Sequence, residues 1–125
     1  MANYNKNNIF AKIISNEAEA KKLYEDEHVL AIADLFPQAP THILIMPKGE
    51  YTSVHDFSTN APPEVISHFF KTIIQLAERF DLHNSGYRLI MNHGADGMQT
   101  VPHFHVHLLG KKNLGPLIVG DNYHK

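Results

Sequence analysis

The chain has 125 residues, a hydrophobic fraction of 43%, a charged fraction of 19% and a formal net charge of −2. Those values describe one ordinary globular domain with a single core, and they leave no basic surplus for neutralising a nucleic-acid backbone. No cysteine is present, which excludes disulfides, thiolate nucleophiles and thiolate zinc sites.

The polar start, Met1 to Asn8, lacks the apolar run of a signal peptide, and no stretch approaches the roughly 20 apolar residues that span a bilayer. The expectation is a soluble cytoplasmic chain with no membrane contact, a single domain over 1–125 in which 1–7 is a flexible lead. From Asn8 to Asn16, Ile9, Phe10, Ile13 and Ile14 recur at helical spacing behind Asn8, a suitable N-cap. Lys22–Glu25 and His28–Ala33 read as two short strands around an Asp26-Glu27 turn. Two prolines punctuate the loop from Asp34 to Pro40, and the apolar run Thr41–Met46 reads as a strand stopped at Pro47-Lys48-Gly49.

The strongest helical pattern starts at Pro62 or Pro63 and runs to Phe80. Prolines suit its first turn, and Glu64 lies near the positive end of its dipole. Its apolar positions, from Val65 and Ile66 to Ala77 and Phe80, form a stripe wide enough for a core face and a second contact. Tyr87–Met91 and His103–Leu109 read as two further strands, separated by the glycine-punctuated loop Asn92–Thr100. This order, a helix, three strands, a helix and two strands, predicts an α+β domain: an antiparallel sheet of about five strands covered by helices.

Ten histidines are present, and three of them are organised. In the segment His103-Phe104-His105-Val106-His107-Leu108-Leu109, strand geometry sends the three imidazoles to one face and Phe104, Val106 and Leu108 to the other. At this chain's histidine frequency such spacing is expected in only about 0.06 windows, so accident is a poor explanation. Two chemistries use three imidazoles on one face. One is metal ligation, with Asp34, His42 or His93 as further donors. The other is nucleophilic attack on phosphorus by a neutral imidazole, its neighbours binding phosphate oxygens or moving protons. The spacing alone leaves both open.

The flanking residues carry a resemblance. His103 to Leu109 matches the histidine-triad signature, and Pro37-Gln38-Ala39-Pro40-Thr41-His42 with Met46-Pro47-Lys48 is similar to the Hint branch of that family. Phe10-Ala11-Lys12-Ile13-Ile14, Gly86-Tyr87-Arg88 and Asn92-His93-Gly94-Ala95-Asp96-Gly97 resemble it too, so the likeness runs from about Asn8 to Gly110.

The resemblance implies a HIT-like fold, with a sheet continuous across a homodimer. It also implies a hydrolase that cleaves the P–N bond of purine nucleoside phosphoramidates without cofactor or metal. By it His105 is the nucleophile, with His107 on the phosphate oxygens and His103 and His42 in support. Asp34 takes the ribose hydroxyls, and Phe10, Ile13 and Leu35 wall the base. Asn92, Gln99 and Thr100 lie around the phosphate and leaving group, Thr100 where the branch usually has serine. The chain departs from the pattern at Met98, where glycine is usual, and at Ala18-Glu19, which replaces an apolar-proline pair. It departs again at His93, which stands for an acidic residue, and at Pro102, which has no amide hydrogen to give. The segment 111–125 matches no tail of the branch. The alternatives are a metal-dependent hydrolase on the same histidine face, and a nucleotide- or partner-binding module with incidental catalysis.

Overall fold

A computed structural model describes residues 3–119. The chain forms α1 (Ile9–Ile14), β1 (Lys22–Glu25), β2 (Val29–Ala33), β3 (Thr41–Pro47), α2 (Val54–Asn60), α3 (Pro63–Arg79), β4 (Tyr87–Ile90) and β5 (Val106–Gly110). The five strands make one antiparallel sheet in the order β1-β2-β3-β5-β4. The expected fold class is therefore the observed one.

The sheet is buried on both faces at its centre, which explains why β2 and β3 read as apolar runs rather than as alternation. On one face Ile43, Ile45, Phe104, Val106 and Leu108 pack against Phe57 of α2 and Phe69, Ile73 and Leu76 of α3. On the other, Leu30, Ile32, Leu44 and Met46 pack beneath Phe10 and Ile13 of α1. Only the second face carries the histidines, because odd positions from 103 to 107 face it and Phe104, Val106 and Leu108 lie in the first core.

The wide apolar stripe of α3 splits accordingly. Phe69, Ile73, Leu76 and Ala77 are buried, whereas Phe70 and Ile74 remain exposed. Asn8 caps α1 as expected, its side-chain oxygen accepting from the Ala11 amide at 2.9 Å.

Two elements differ from the sequence reading. α2 was absent from it, because its seven residues carry two large apolar side chains and a polar remainder. Its start was nonetheless encoded: Ser53 Oγ accepts from the Asp56 amide at 3.1 Å and Asp56 accepts from the Thr52 amide at 2.8 Å, a reciprocal cap. The last strand starts at Val106 rather than His103. Pro102 precedes that stretch, and the Phe104 amide bonds to the Tyr51 carbonyl at 2.8 Å instead of joining the ladder.

The stretch 1–7, expected to be flexible, is described from Asn3, and Tyr4 within it is fastened to the fold by hydrogen bonds to Asn8 and His103. At the other end, Arg88 bonds to the Gly115 carbonyl at 2.9 Å and Lys111 to that of Asp81 at 3.0 Å. The tail expected over 111–125 extends beyond the described residues at 120.

Candidate active site

Register brings the histidines together. β3 pairs with β5 so that Leu44 faces His107 and His42 faces Leu109. His42 and His107 are thus diagonal neighbours on one face, within reach for long side chains. Their Nε2 and Nδ1 atoms are 2.9 Å apart. His105 stands next in the row, its ring centroid 5.3 Å from that of His107 and 4.7 Å from that of Phe10.

Backbone groups fix which nitrogen carries each proton. The Gln38 amide donates to His42 Nδ1 at 3.0 Å. A neutral His42 therefore bears its proton on Nε2 and donates it to His107 Nδ1. His107 in turn holds its own proton on Nε2. His105 Nδ1 lies 2.8 Å from the His103 carbonyl, which only accepts, so Nδ1 carries the proton and Nε2 keeps a free lone pair. His103 Nε2 donates to the Pro47 carbonyl at 2.8 Å, leaving Nδ1 to accept from the Tyr4 hydroxyl.

Burial favours the uncharged form of the three triad rings. Burial pushes His103 down to about 4, well below the ordinary histidine value. His107 is also pushed down to about 4, chiefly by burial and then by neighbouring His105 and His42. Burial lowers His105 as well, against an opposing pull from the His103 carbonyl and from Asp34. Near neutral pH the row offers one free imidazole lone pair beside one N–H donor, both half-buried.

A recess of about 210 Å³ adjoins this row. Phe10, Ile13, Leu44 and Ile32 make its apolar wall, and Asp34 and Glu19 are its two ionisable lining residues. Leu35 and Phe36 stand over it with 84% and 78% of their surfaces exposed. Two large apolar side chains in that condition are poorly placed unless something flat lies against them.

Of the residues expected here, His42, His105, His107, Asp34, Phe10, Ile13 and Leu35 converge on the recess and its histidine edge. His103 is fully buried and acts through its carbonyl and its own two hydrogen bonds. Asn92 and Gln99 are occupied with the loop. Asn92 Nδ2 donates to the Gly97 carbonyl at 2.7 Å, and Gln99 Nε2 donates to the carbonyls of Thr52 and Val101. Thr100 is exposed at the end of that loop.

Met98 takes φ +59° and is 74% exposed, a left-handed conformation in which glycine would be unstrained. Glu19, flagged in the sequence as part of the Ala18-Glu19 departure, lines the recess. Tyr4 and Phe36 are site residues that the sequence reading misses; a tyrosine four residues before the Asn8 cap, and an apolar pair inside a proline-bounded loop, are the available signals.

Metal chemistry meets an obstacle. Among the described residues, the ligand atoms that converge belong to Asp34, His42 and His107, so His107 is the one triad histidine among them. His42 Nε2 ligates only if its proton moves to Nδ1, where it would oppose the Gln38 amide hydrogen. Both nitrogens of His103 are already engaged. The donor set fits a hydrogen-bonded relay better than a cation.

The HIT domain family profile matches residues 15–114. The chain is 41% identical over 110 residues to the purine nucleoside phosphoramidase of Escherichia coli K12, covering 88% of this chain and 92% of that protein. It is 44% identical over 115 residues to an uncharacterised HIT-like protein of Azospirillum brasilense, covering 92% and 94% of the two chains. Among solved structures, a HIT family hydrolase from Clostridium thermocellum superposes with a TM-score of 0.82 at 41% identity, over 91% of this chain and 98% of that one. One from Legionella pneumophila gives 0.82 at 37% identity, over 87% and 96%.

Proposed function

This chain belongs to the HIT domain family, and from that premise we propose that it hydrolyses purine nucleoside phosphoramidates through a nucleotidyl-histidine at His105. The observation that carries the reading is the 2.8 Å bond from His105 Nδ1 to the His103 carbonyl. It leaves Nε2 as a neutral nucleophile, the state that attack on phosphorus requires. The purine nucleoside phosphoramidase of E. coli, a relative over nearly the whole chain, supports the substrate class.

In the first step the His105 Nε2 lone pair forms a bond to the α-phosphorus. The P–N bond breaks, and the amine departs with a proton from solvent. His107 Nε2–H donates to a phosphoryl oxygen as charge develops there, and His42 holds that proton in place through Nδ1 of His107. In the second step water attacks phosphorus, the N–P bond to His105 breaks, and the nucleoside monophosphate is released with His105 neutral again.

Asp34 accepts from the ribose hydroxyls, and the base lies between Leu35 and the Phe10–Ile13 wall. Asn92 and Gln99 hold the loop against the phosphate, with Thr100 at the leaving-group side. Two copies pair through the open edge of β4 and the neighbouring exposed side chains Phe70, Ile74, Tyr87 and Met91, so that the sheets join. The domain works in the cytoplasm. No helix among the described residues is long and apolar enough to cross a membrane.

The test is turnover of adenosine 5′-phosphoramidate. Release of AMP and ammonia, unchanged after exhaustive chelation, is the expected result. Loss of turnover on chelation and its return with zinc would favour the metal reading. Tight AMP binding without turnover would favour a binding module.

A further inference from the structure

The base recess carries one charge that the proposed reaction does not use. Glu19 lines it, and Asp34 is the other ionisable residue there. Asp34 already has the proposed role at the ribose and two contacts within the chain: Oδ1 accepts from the Phe36 amide at 2.8 Å, and Oδ2 lies 3.4 Å from His42 Nε2. Glu19 has no hydrogen bond or ion pair among the described residues. The nearest lysine in sequence with a defined partner, Lys22, turns to Asn16 and Glu25. Glu19, Ala20 and Leu35 line both the recess and a neighbouring groove, so Glu19, an exposed residue, stands where the two meet.

His105 packs against Phe10, 4.7 Å between ring centroids, and Phe10, Asp34 and Glu19 line one recess. A nucleotide with its phosphate at His105 and its ribose at Asp34 puts its base in that recess, where Glu19 is the ionisable residue left to meet it. A carboxylate only accepts hydrogen bonds, and its two oxygens match two adjacent donors. Guanine presents that pair, N1–H and the 2-amino group. Adenine offers one amino group beside the N1 lone pair, which a carboxylate repels.

Resting on the phosphoramidase reading, we infer that Glu19 is the base-reading residue of this chain and that its preferred substrates are guanine nucleotides. A hydrogen-bonding group at a pocket mouth discriminates less than a buried one, so the expected preference is about tenfold.

The experiment measures kcat/KM for the 5′-phosphoramidates of guanosine, inosine and adenosine on the intact protein and on Glu19→Gln. The inference predicts guanosine above inosine above adenosine, since inosine keeps N1–H and lacks the 2-amino group. Glutamine can donate to adenine N1, so Glu19→Gln should bring the guanosine-to-adenosine ratio to one or below. Equal rates in the wild type, or a ratio that the substitution leaves unmoved, would overturn the inference.

If none of the three is hydrolysed, the reaction assigned above is wrong, and calorimetric binding of GMP and AMP decides the matter. Tighter GMP binding that Glu19→Gln abolishes upholds Glu19 as the reader. Equal or undetectable binding of both overturns it.

Discussion

At the scale of single residues, the candidate catalytic face is a set of imidazoles whose protons are assigned by the main chain. His42 is set by the Gln38 amide, His105 by the His103 carbonyl and His103 by the Pro47 carbonyl. Because His103, His105 and His107 are depressed by burial, the unfolded chain binds more protons than the folded one between roughly pH 4 and pH 6.5. Stability is therefore full above the ordinary histidine value and is lost as pH falls toward 4. The melting temperature should drop by about 5–10 °C from pH 7 to pH 5. A flat melting temperature over that interval would mean that these rings are already charged in the fold.

The alternation of His103, His105 and His107 was legible in the sequence because period two is a property of extended backbone and needs no knowledge of neighbours. The proton assignments were not. They depend on carbonyls and amides of Gln38, Pro47 and Tyr4's neighbourhood, which only the folded chain brings within reach.

At the scale of elements, sequence pattern located α1, the strands and α3, since each has an apolar period and a punctuating residue. It passed over α2, where the cue was a cap and not a period. It also extended the last strand by three residues, because alternation persists where the ladder hydrogen bonds do not.

The loop after β4 shows how tightly the site is built. A Cβ on Gly97 would lie 2.5 Å from the His93 carbonyl oxygen and 2.8 Å from its nitrogen. Both are backbone atoms that cannot step aside. Gly97→Ala should cost about 2 kcal/mol of stability and lower kcat/KM about tenfold, since Asn92 holds the loop through the Gly97 carbonyl. Chemical denaturation and steady-state kinetics check both. Wild-type values in both would show that the loop does not position the phosphate.

At the scale of the whole molecule, the sheet has two dissimilar edges. β1 is short and bulged between Lys22 and Tyr24, a device that discourages pairing. β4 has a regular register and exposed Tyr87, with Met91 exposed just beyond it, and α3 exposes Phe70 and Ile74. That asymmetry underlies the proposed dimer. Sedimentation should give twice the chain mass at micromolar concentration, and Ile74→Glu should shift it to the monomer. A wild-type monomer would refute the pairing.

Family membership follows from most of the chain, residues 15–114 matching the family profile. The proposed substrate preference rests on a few positions around the recess, which is why Glu19 weighs more there than any core residue.

The central claim is covalent catalysis by His105. Its most direct measurement is acid- or base-quenched single turnover with a guanosine or adenosine phosphoramidate, followed by peptide mapping by mass. The account predicts a nucleoside monophosphate adduct on His105 that forms and decays within the turnover, and no adduct or turnover in His105→Ala. Full activity in that variant, or an adduct on another residue, would contradict it.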